Sequence, residues 1–330
     1  MENGHRMNGS RCESGVPKIR MNSGYTIPQL GFGTWLAGKH EVGQAVSDAI
    51  EVGYRHIDCA QIYQNEAEIG SSIEKAVASG KVKRQDLFIT SKIWNTYHSY
   101  ERAAKAIDES IADLHAGYLD LCLIHWPMGY YEGDAYVPTG PDGKVLLSDI
   151  DYMETWRAMG DAVYAGKVRS IGLSNFNTQQ IERVIADGRI KPAVLQVEAH
   201  PYFPQTELLH WCMDRGIVFT SYSTLANNQH EFRVAGQPNL LNEPTLIEIG
   251  KSHGKTAAQV SLRWALQKGM VIIPKSVRRS RIQENFDILD FHLSESELTD
   301  VDALDMNWRM LPLDRDDHHP DWPFRAARSP

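Results

Sequence analysis

Four ionisable side chains of different chemistry stand at or beside the ends of short apolar runs. Asp58 lies in "HIDCA" (56–60), Lys92 closes "LFITSK" (87–92), and His125 falls near the end of "LDLCLIHW" (119–126). Tyr63 follows Asp58 by five residues, within "GYRHIDCAQIYQNEAEIG" (53–70) and just ahead of a helix start. A carboxylate, a phenol, an ammonium and an imidazole can together hold and deliver a proton if a fold brings them to one place. Singly, each has a plainer reading. A strand-end aspartate caps a turn, a lone lysine is solvated, and a histidine before Trp-Pro is a buried, satisfied imidazole.

The elements that would position them alternate along the chain. Apolar or β-branched runs occur at 30–35, 56–60, 87–92, 119–126, 168–174, 193–199, 217–223 and 271–276. Helical spacing fills the gaps: Val42, Val46 and Ile50; Ile69, Ile73 and Val77; Ala103, Ile107, Ile111 and Leu114; Ile181, Val184 and Ile185. Glycines at 53, 80, 117 and 188 are expected to close helices in the left-handed conformation. Eight strand-then-helix units, recurring at roughly thirty residues, fit an α/β fold of the (β/α)8 TIM-barrel type better than a doubly wound sheet.

Two features fall outside the eight units. "VPKIRMNSGYTIPQLG" alternates around Asn22-Ser23-Gly24 and predicts a hairpin closing the barrel's bottom. "LSESELTDVDAL" carries Ser294 and Glu297 at capping-box spacing and predicts an extra C-terminal helix, while Thr256 with Gln259 predicts the start of the helix before strand eight. Residues 1–15, polar and glycine-rich without an apolar core, read as a disordered extension rather than a signal peptide. The single barrel domain then runs over 16–330, including a C-terminal loop. In such a barrel chemistry sits at the carboxyl ends of the strands. Asp58, Lys92 and His125, on strands two, three and four, would share that mouth, with Tyr63 in the loop above it.

Composition narrows the classes. A net charge of −8 gives no general attraction to nucleic acid or to an anionic membrane, and no apolar run approaches the ~18 residues of a membrane span. Cys12, Cys59, Cys122 and Cys212 are scattered, with no C-x-x-C pair, which suits reduced thiols and a cytoplasmic protein. His318 and His319 have no third ligand in a recognisable spacing, so they read as surface residues and no metal is expected.

"GYRHIDCAQIYQNEAEIG", "LDLCLIHWP", "GKVRSIGLSNFN" and "IPKSVRRSRIQEN" resemble the signatures of the aldo-keto reductase family. The resemblance runs from about Val16 to the end of the extra helix and weakens in the tail. It implies NADPH-dependent reduction of a small aldehyde or ketone by a monomer, with Asp58, Tyr63, Lys92 and His125 as catalytic tetrad. Tyr63 would be the general acid, its ordinary pKa of ~10 drawn down by up to ~3 units by a lysine ammonium ~4 Å away. Asp58 would hold Lys92, and His125 would hydrogen-bond the carbonyl oxygen. Relatives that reduce steroid carbon–carbon double bonds carry a glutamate where this chain has His125. An alternative keeps the nucleotide-binding barrel for a regulatory or structural role; the complete tetrad speaks against it.

No G-x-G-x-x-G occurs, so a Rossmann site is not supported. "PKSVRRSR" after strand eight instead sets Lys275, Ser276, Arg278, Arg279 and Arg281 at the usual phosphate site of this barrel. By resemblance, Lys275, Ser276 and Arg281 would hold the adenosine 2′-phosphate, and Glu284 and Asn285 the adenine. Ser174, Asn175 and Gln196 would hold the nicotinamide carboxamide, Tyr222 would stack on the ring, and Thr34, Ser223 and Leu225 would complete the cofactor site. "YSTLAN" (222–227) departs from the family's Tyr-Ser-Pro-Leu-Gly-Ser at Thr224 and Ala226, in the loop that clamps the pyrophosphate. Trp35, Trp94 and Trp126 would wall an apolar substrate pocket, joined by Tyr130, Tyr131, Tyr136 and Val137 of the loop after strand four. Trp308 and Leu311 of the tail would cover it as a flap.

Overall fold

The computed structural model describes residues 15–226 and 236–325. The expected extension, except Gly15, and Asn227 of the clamp loop lie outside the described residues. Strands β1 (Lys18–Arg20) and β2 (Thr26–Pro28) pair antiparallel, with Gly24 at φ 90° turning the chain between them. A side chain at that φ is strained, so glycine suits it. Met21 and Ile27 of this hairpin pack on Phe88, Leu121, Val194, Val218 and Val271, mostly from the amino halves of the barrel strands. The hairpin therefore seals the bottom, as its sequence predicts.

All eight predicted barrel strands form: β3 (Phe32–Gly33), β4 (His56–Asp58), β5 (Phe88–Ile93) and β6 (Leu119–Ile124), then β9 (Val168–Ser174), β10 (Val194–Glu198), β11 (Val218–Tyr222) and β12 (Val271–Ile272). Between β6 and β9 lies a small hairpin of β7 (Gly129–Tyr130) and β8 (Leu147–Ser148). The barrel strands pair in parallel, in chain order, from β3 round to β12. A parallel bridge between Leu30 and Ile272 joins the two ends, with Gly31 N donating to Ile272 O at 2.8 Å and Gly33 N to Pro274 O at 3.1 Å. The fold is a (β/α)8 barrel. The last strand is shorter than the apolar run suggests because Pro274 has no N–H to continue the ladder.

Helices α1 (Val42–Val52), α2 (Glu66–Ala78), α3 (Tyr100–Asp113), α4 (Tyr152–Tyr164), α5 (Thr178–Asp187), α6 (Thr206–Asp214), α7 (Pro244–His253), α8 (Ala257–Gln267), α9 (Arg279–Phe286) and α10 (Glu295–Asp302) complete the order. Val42, Val46, Ile50, Ile69, Ile73, Ala103 and Ile107 are buried, so the 3.6-residue stripes do face the core. Both expected capping boxes are present, at Thr256 with Gln259 and at Ser294 with Glu297. Gly53, Gly80 and Gly117 take positive φ. Gly188 does not: it closes α5 in extended geometry, at φ −84°. Its need for glycine is steric, since a Cβ there would lie 2.4 Å from Val184 O and 2.6 Å from Trp156 Nε1.

Candidate active site

Asp58 is the last residue of β4, and Thr34 Oγ1 donates to its carbonyl at 2.8 Å. Its carboxylate is buried and doubly held. Lys92, on β5, donates from Nζ to Asp58 Oδ1 and, at 2.9 Å, to the Cys59 carbonyl; Gln196 Nε2, on β10, donates to Asp58 Oδ2 at 2.8 Å. Asp58 and Lys92 are 2% and 1% exposed, so their charges need each other. Burial pushes the Lys92 ammonium down, but the charge and hydrogen bond of Asp58 outweigh it and the net shift is upward. Lys92 is thus a fixed cation below the mouth.

Tyr63 ends a single 3-10 turn, Gln61–Tyr63, which the left-handed Gln64 (φ 53°) terminates before α2 begins. The turn sets the half-buried phenol above the ion pair, with Lys92 Nζ 5.2 Å from its ring centroid. Burial raises the Tyr63 pKa, the Lys92 charge lowers it, the Asp58 charge raises it, and the balance stands at about 12. This corrects the expected drop. Lys92 acts in the predicted direction, but burial and Asp58 oppose it and win. The phenol therefore holds its proton throughout the neutral range.

His125 follows β6 and sets its ring edge-on to Tyr63 at 5.9 Å and to Trp94 at 5.2 Å. Asn175 Nδ2 donates to its backbone carbonyl at 3.0 Å. Burial, and then the Lys92 charge, hold the imidazole well below its usual pKa, so it is neutral. The four sequence-predicted residues do converge on one mouth.

Above them a cavity of about 750 Å³ runs from the tryptophans to α9. Asp58, Tyr63 and His125 line it, while Lys92 lies behind the wall. The twelve residues expected to hold a cofactor all line it: Thr34, Ser174, Asn175, Gln196, Tyr222, Ser223, Leu225, Lys275, Ser276, Arg281, Glu284 and Asn285. Asn175 stands at φ 62°, accepting from Tyr222 OH at 2.8 Å. Lys275 Nζ donates to Leu36 O at 2.8 Å, and burial lowers its pKa. Neither Lys275 nor Arg281 has a carboxylate partner among the described residues. Arg279 is a correction: it turns away onto α1, with Nη1 2.5 Å from Asp48 and 2.9 Å from Glu51. On α9 it sits on the face opposite the cavity.

The substrate wall is partly as expected. Trp35, Trp94, Trp126 and Leu311 line the cavity; Tyr130, Val137 and Trp308 do not. Tyr130 is fully buried behind Trp94, their rings 5.8 Å apart, and its hydroxyl donates to Asp316 Oδ2 at 2.5 Å. Val137 packs, partly buried, against the cluster that contains Trp94, and Tyr131 is exposed. Tyr136 accepts from Trp94 Nε1 through its carbonyl, at 2.6 Å. Trp308 instead packs on the barrel's main core and donates from its backbone N to Tyr202 O at 3.1 Å. The tail also buries His319, corrected from a surface assignment, which meets Ser148 O through Nε2 at 2.9 Å. His318 is exposed, and no group of three or more metal-ligating side chains occurs among the described residues. At the clamp loop, Thr224 is buried on Ser221 Oγ at 2.6 Å and Ala226 takes φ 58°. Ile62, Leu36, Leu241 and Leu313 also line the cavity and were not foreseen; Ile62 could have been found as the neighbour of Tyr63.

A parallel barrel with this constellation at its carboxyl-terminal mouth defines a barrel oxidoreductase of one family. The family model of the Aldo/keto reductase family matches residues 29–306, and the chain belongs to that family. It is 43% identical over 321 residues to Aldo-keto reductase family 1 member A1 of Gallus gallus, covering 94% of this chain and 98% of that one. Its identity to the Xenopus tropicalis protein of the same name is 45% over 312 residues, covering 92% and 95%. Among solved structures it is similar to the aldose reductase from Schistosoma japonicum, with a TM-score of 0.89 and 42% identity, covering 94% of this chain and 99% of that one. The chain is accordingly an aldo-keto reductase, an enzyme of carbonyl reduction.

Proposed function

We propose that the chain reduces aldehydes or ketones to alcohols with NADPH, and that Tyr63 is the general acid. The observation that carries this reading is the Tyr63 ring, its centroid 5.2 Å from the buried Lys92 Nζ, lining the same cavity as the His125 imidazole. When bound, the reduced nicotinamide supplies the hydride that the carbonyl carbon accepts. As the carbonyl oxygen gains charge, Tyr63 gives it the phenolic proton, and Lys92 stabilises the charge left on Tyr63. His125 directs an imidazole N–H at the same oxygen and so fixes its approach. Asp58 keeps Lys92 charged and in place. Solvent then returns a proton to Tyr63.

The residues on α9 and at the end of β12 fit a phosphorylated dinucleotide. Lys275 and Arg281 line the cavity as cations unpaired with carboxylates among the described residues, beside Ser276 at the amino end of a helix. Ser174, Asn175 and Gln196 would hold the carboxamide, Tyr222 the ring face, and Glu284 and Asn285 the adenine. Trp35, Trp94, Trp126 and Leu311 supply an apolar wall for the carbonyl compound. We read residues 16–330 as one reductase domain, acting as a cytoplasmic monomer; no helix among the described residues is long and apolar enough to cross a membrane. The test is turnover of a sugar aldehyde, a lipid aldehyde and a ketosteroid with NADPH and with NADH. Tight NADPH binding without turnover of any of the three would overturn the reading.

A further inference from the structure

On strand β10, side chains alternate between the helix layer and the barrel interior. Leu195 and Val197 join the main core, while Gln196 faces inward and holds Asp58. Two residues on, Glu198 shares the face of Gln196, and its carboxyl group is fully buried. No lysine or arginine forms a salt bridge with it among the described residues, although the buried Arg309 guanidinium is near enough for their charges to interact. Instead Oε1 accepts from Met310 N at 2.6 Å and Oε2 from Leu311 N at 2.9 Å. His200, also fully buried, lies with Nε2 3.0 Å from Oε1.

Two consecutive loop amides thus meet one buried carboxyl group at the carboxyl end of a barrel strand. That is a costly arrangement unless the amides are held there, because an acid group so buried needs its donors. The segment it grips has no helix or strand of its own between α10 and the 3-10 turn at Asp314–Asp316. Within it Met310 is buried, and Leu311 lines the cavity. Asp58 and Lys92 stand on barrel strands, but Leu311 reaches the cavity only through this segment.

We propose that Glu198 is a specificity-determining positioning residue: it latches the chain at Met310 and Leu311 onto β10 and so holds Leu311 against the substrate. The assignment rests on the reductase reading for the word substrate, and on geometry alone for the latch. Glu198→Gln keeps the size of the side chain but leaves one carbonyl oxygen for two loop amides and turns an NH2 toward one of them.

Hydrogen exchange and kinetics test the proposal together. In the intact wild-type protein the Met310 and Leu311 amides should exchange as slowly as those of β10; exchange as fast as at the exposed loop residues Asp134 and Ala135 overturns the latch without any variant. In Glu198→Gln those two amides should exchange about 10- to 100-fold faster, the loss of a hydrogen bond to a charged group. The kcat/KM for a bulky apolar ketone should fall by the same order, chiefly through KM, with a small aldehyde changed by less than roughly twofold. Equal losses for both substrates would mean a general structural role and overturn the proposal. Adding Glu198→Gln to Leu311→Ala should cost the bulky ketone less than roughly twofold more; the full loss on top of Leu311→Ala would mean that Glu198 acts elsewhere in the barrel, and would also overturn it. Wild-type protein that turns over neither substrate refutes the reductase reading instead, and exchange at the two amides then decides the latch.

Discussion

Replacing Lys92 by methionine tests the electrostatics of the site most sharply. The ammonium is 1% exposed and 5.2 Å from the Tyr63 ring centroid. At that distance a unit charge left on Tyr63 gains ~3 kcal/mol at an effective dielectric of ~20, equivalent to ~2 pKa units. Lys92→Met should therefore raise the cost of proton donation by that amount and lower kcat about 10²-fold. A second cost appears in folding. Asp58 would keep only the Gln196 hydrogen bond to its carboxylate, and breaking a buried ion pair costs ~3–5 kcal/mol. Adding Asp58→Asn removes the orphaned charge, so the double variant should regain most of the stability and none of the activity. The assays are urea unfolding, NADPH fluorescence titration and kcat with a small aldehyde. A single variant retaining more than about a third of wild-type kcat, or a double variant that recovers activity with stability, would refute the reasoning.

Arg281→Ala should weaken NADPH about 10- to 100-fold and leave NADH nearly unchanged, since only NADPH carries the 2′-phosphate; equal losses in fluorescence titration would remove Arg281 from that role. Glu66 is buried against Ser91 Oγ at 2.5 Å and Ser110 Oγ at 2.9 Å, and burial raises its pKa from 4.5 to about 7. The folded state therefore binds this proton more tightly than the unfolded one, and stability should fall by up to ~3 kcal/mol as pH rises from about 4.5 to about 7. Glu66→Gln should flatten that slope in urea midpoints measured across the range; an unchanged slope would show that Glu66 is not its source.

The eight strand runs and the convergence of Asp58, Tyr63, Lys92 and His125 are legible in the sequence because each depends on local signals. Asp58, Lys92 and His125 lie at or next to strand ends, and a parallel barrel brings consecutive strand ends together whatever the details of packing. Of the twelve residues proposed to hold the cofactor, all but Thr34 follow from motifs at β9, β10, β11 and the β12–α9 junction, and all twelve line the cavity. Where the sequence misleads, the deciding fact is tertiary. The Tyr63 pKa depends on how deeply the phenol is buried, which no spacing reveals. Arg278, Arg279 and Arg281 look alike in sequence, yet Arg279 meets Asp48 and Glu51 because of where α1 lies. Tyr130, Trp308 and His319 are claimed by tail contacts from outside their own elements, and the latch at Glu198 joins residues over a hundred positions apart.

The central claim is that Tyr63 gives the proton. It is tested most directly by the single-turnover rate of aldehyde reduction in Tyr63→Phe, with NADPH saturating and its binding measured separately by fluorescence. The phenyl ring keeps the packing against His125 and removes only the hydroxyl. NADPH affinity should stay within roughly threefold of wild type and the rate should fall at least ~10²-fold, the lower end of what a general acid contributes. A variant that binds NADPH normally and reduces the aldehyde at near wild-type rate would contradict the account.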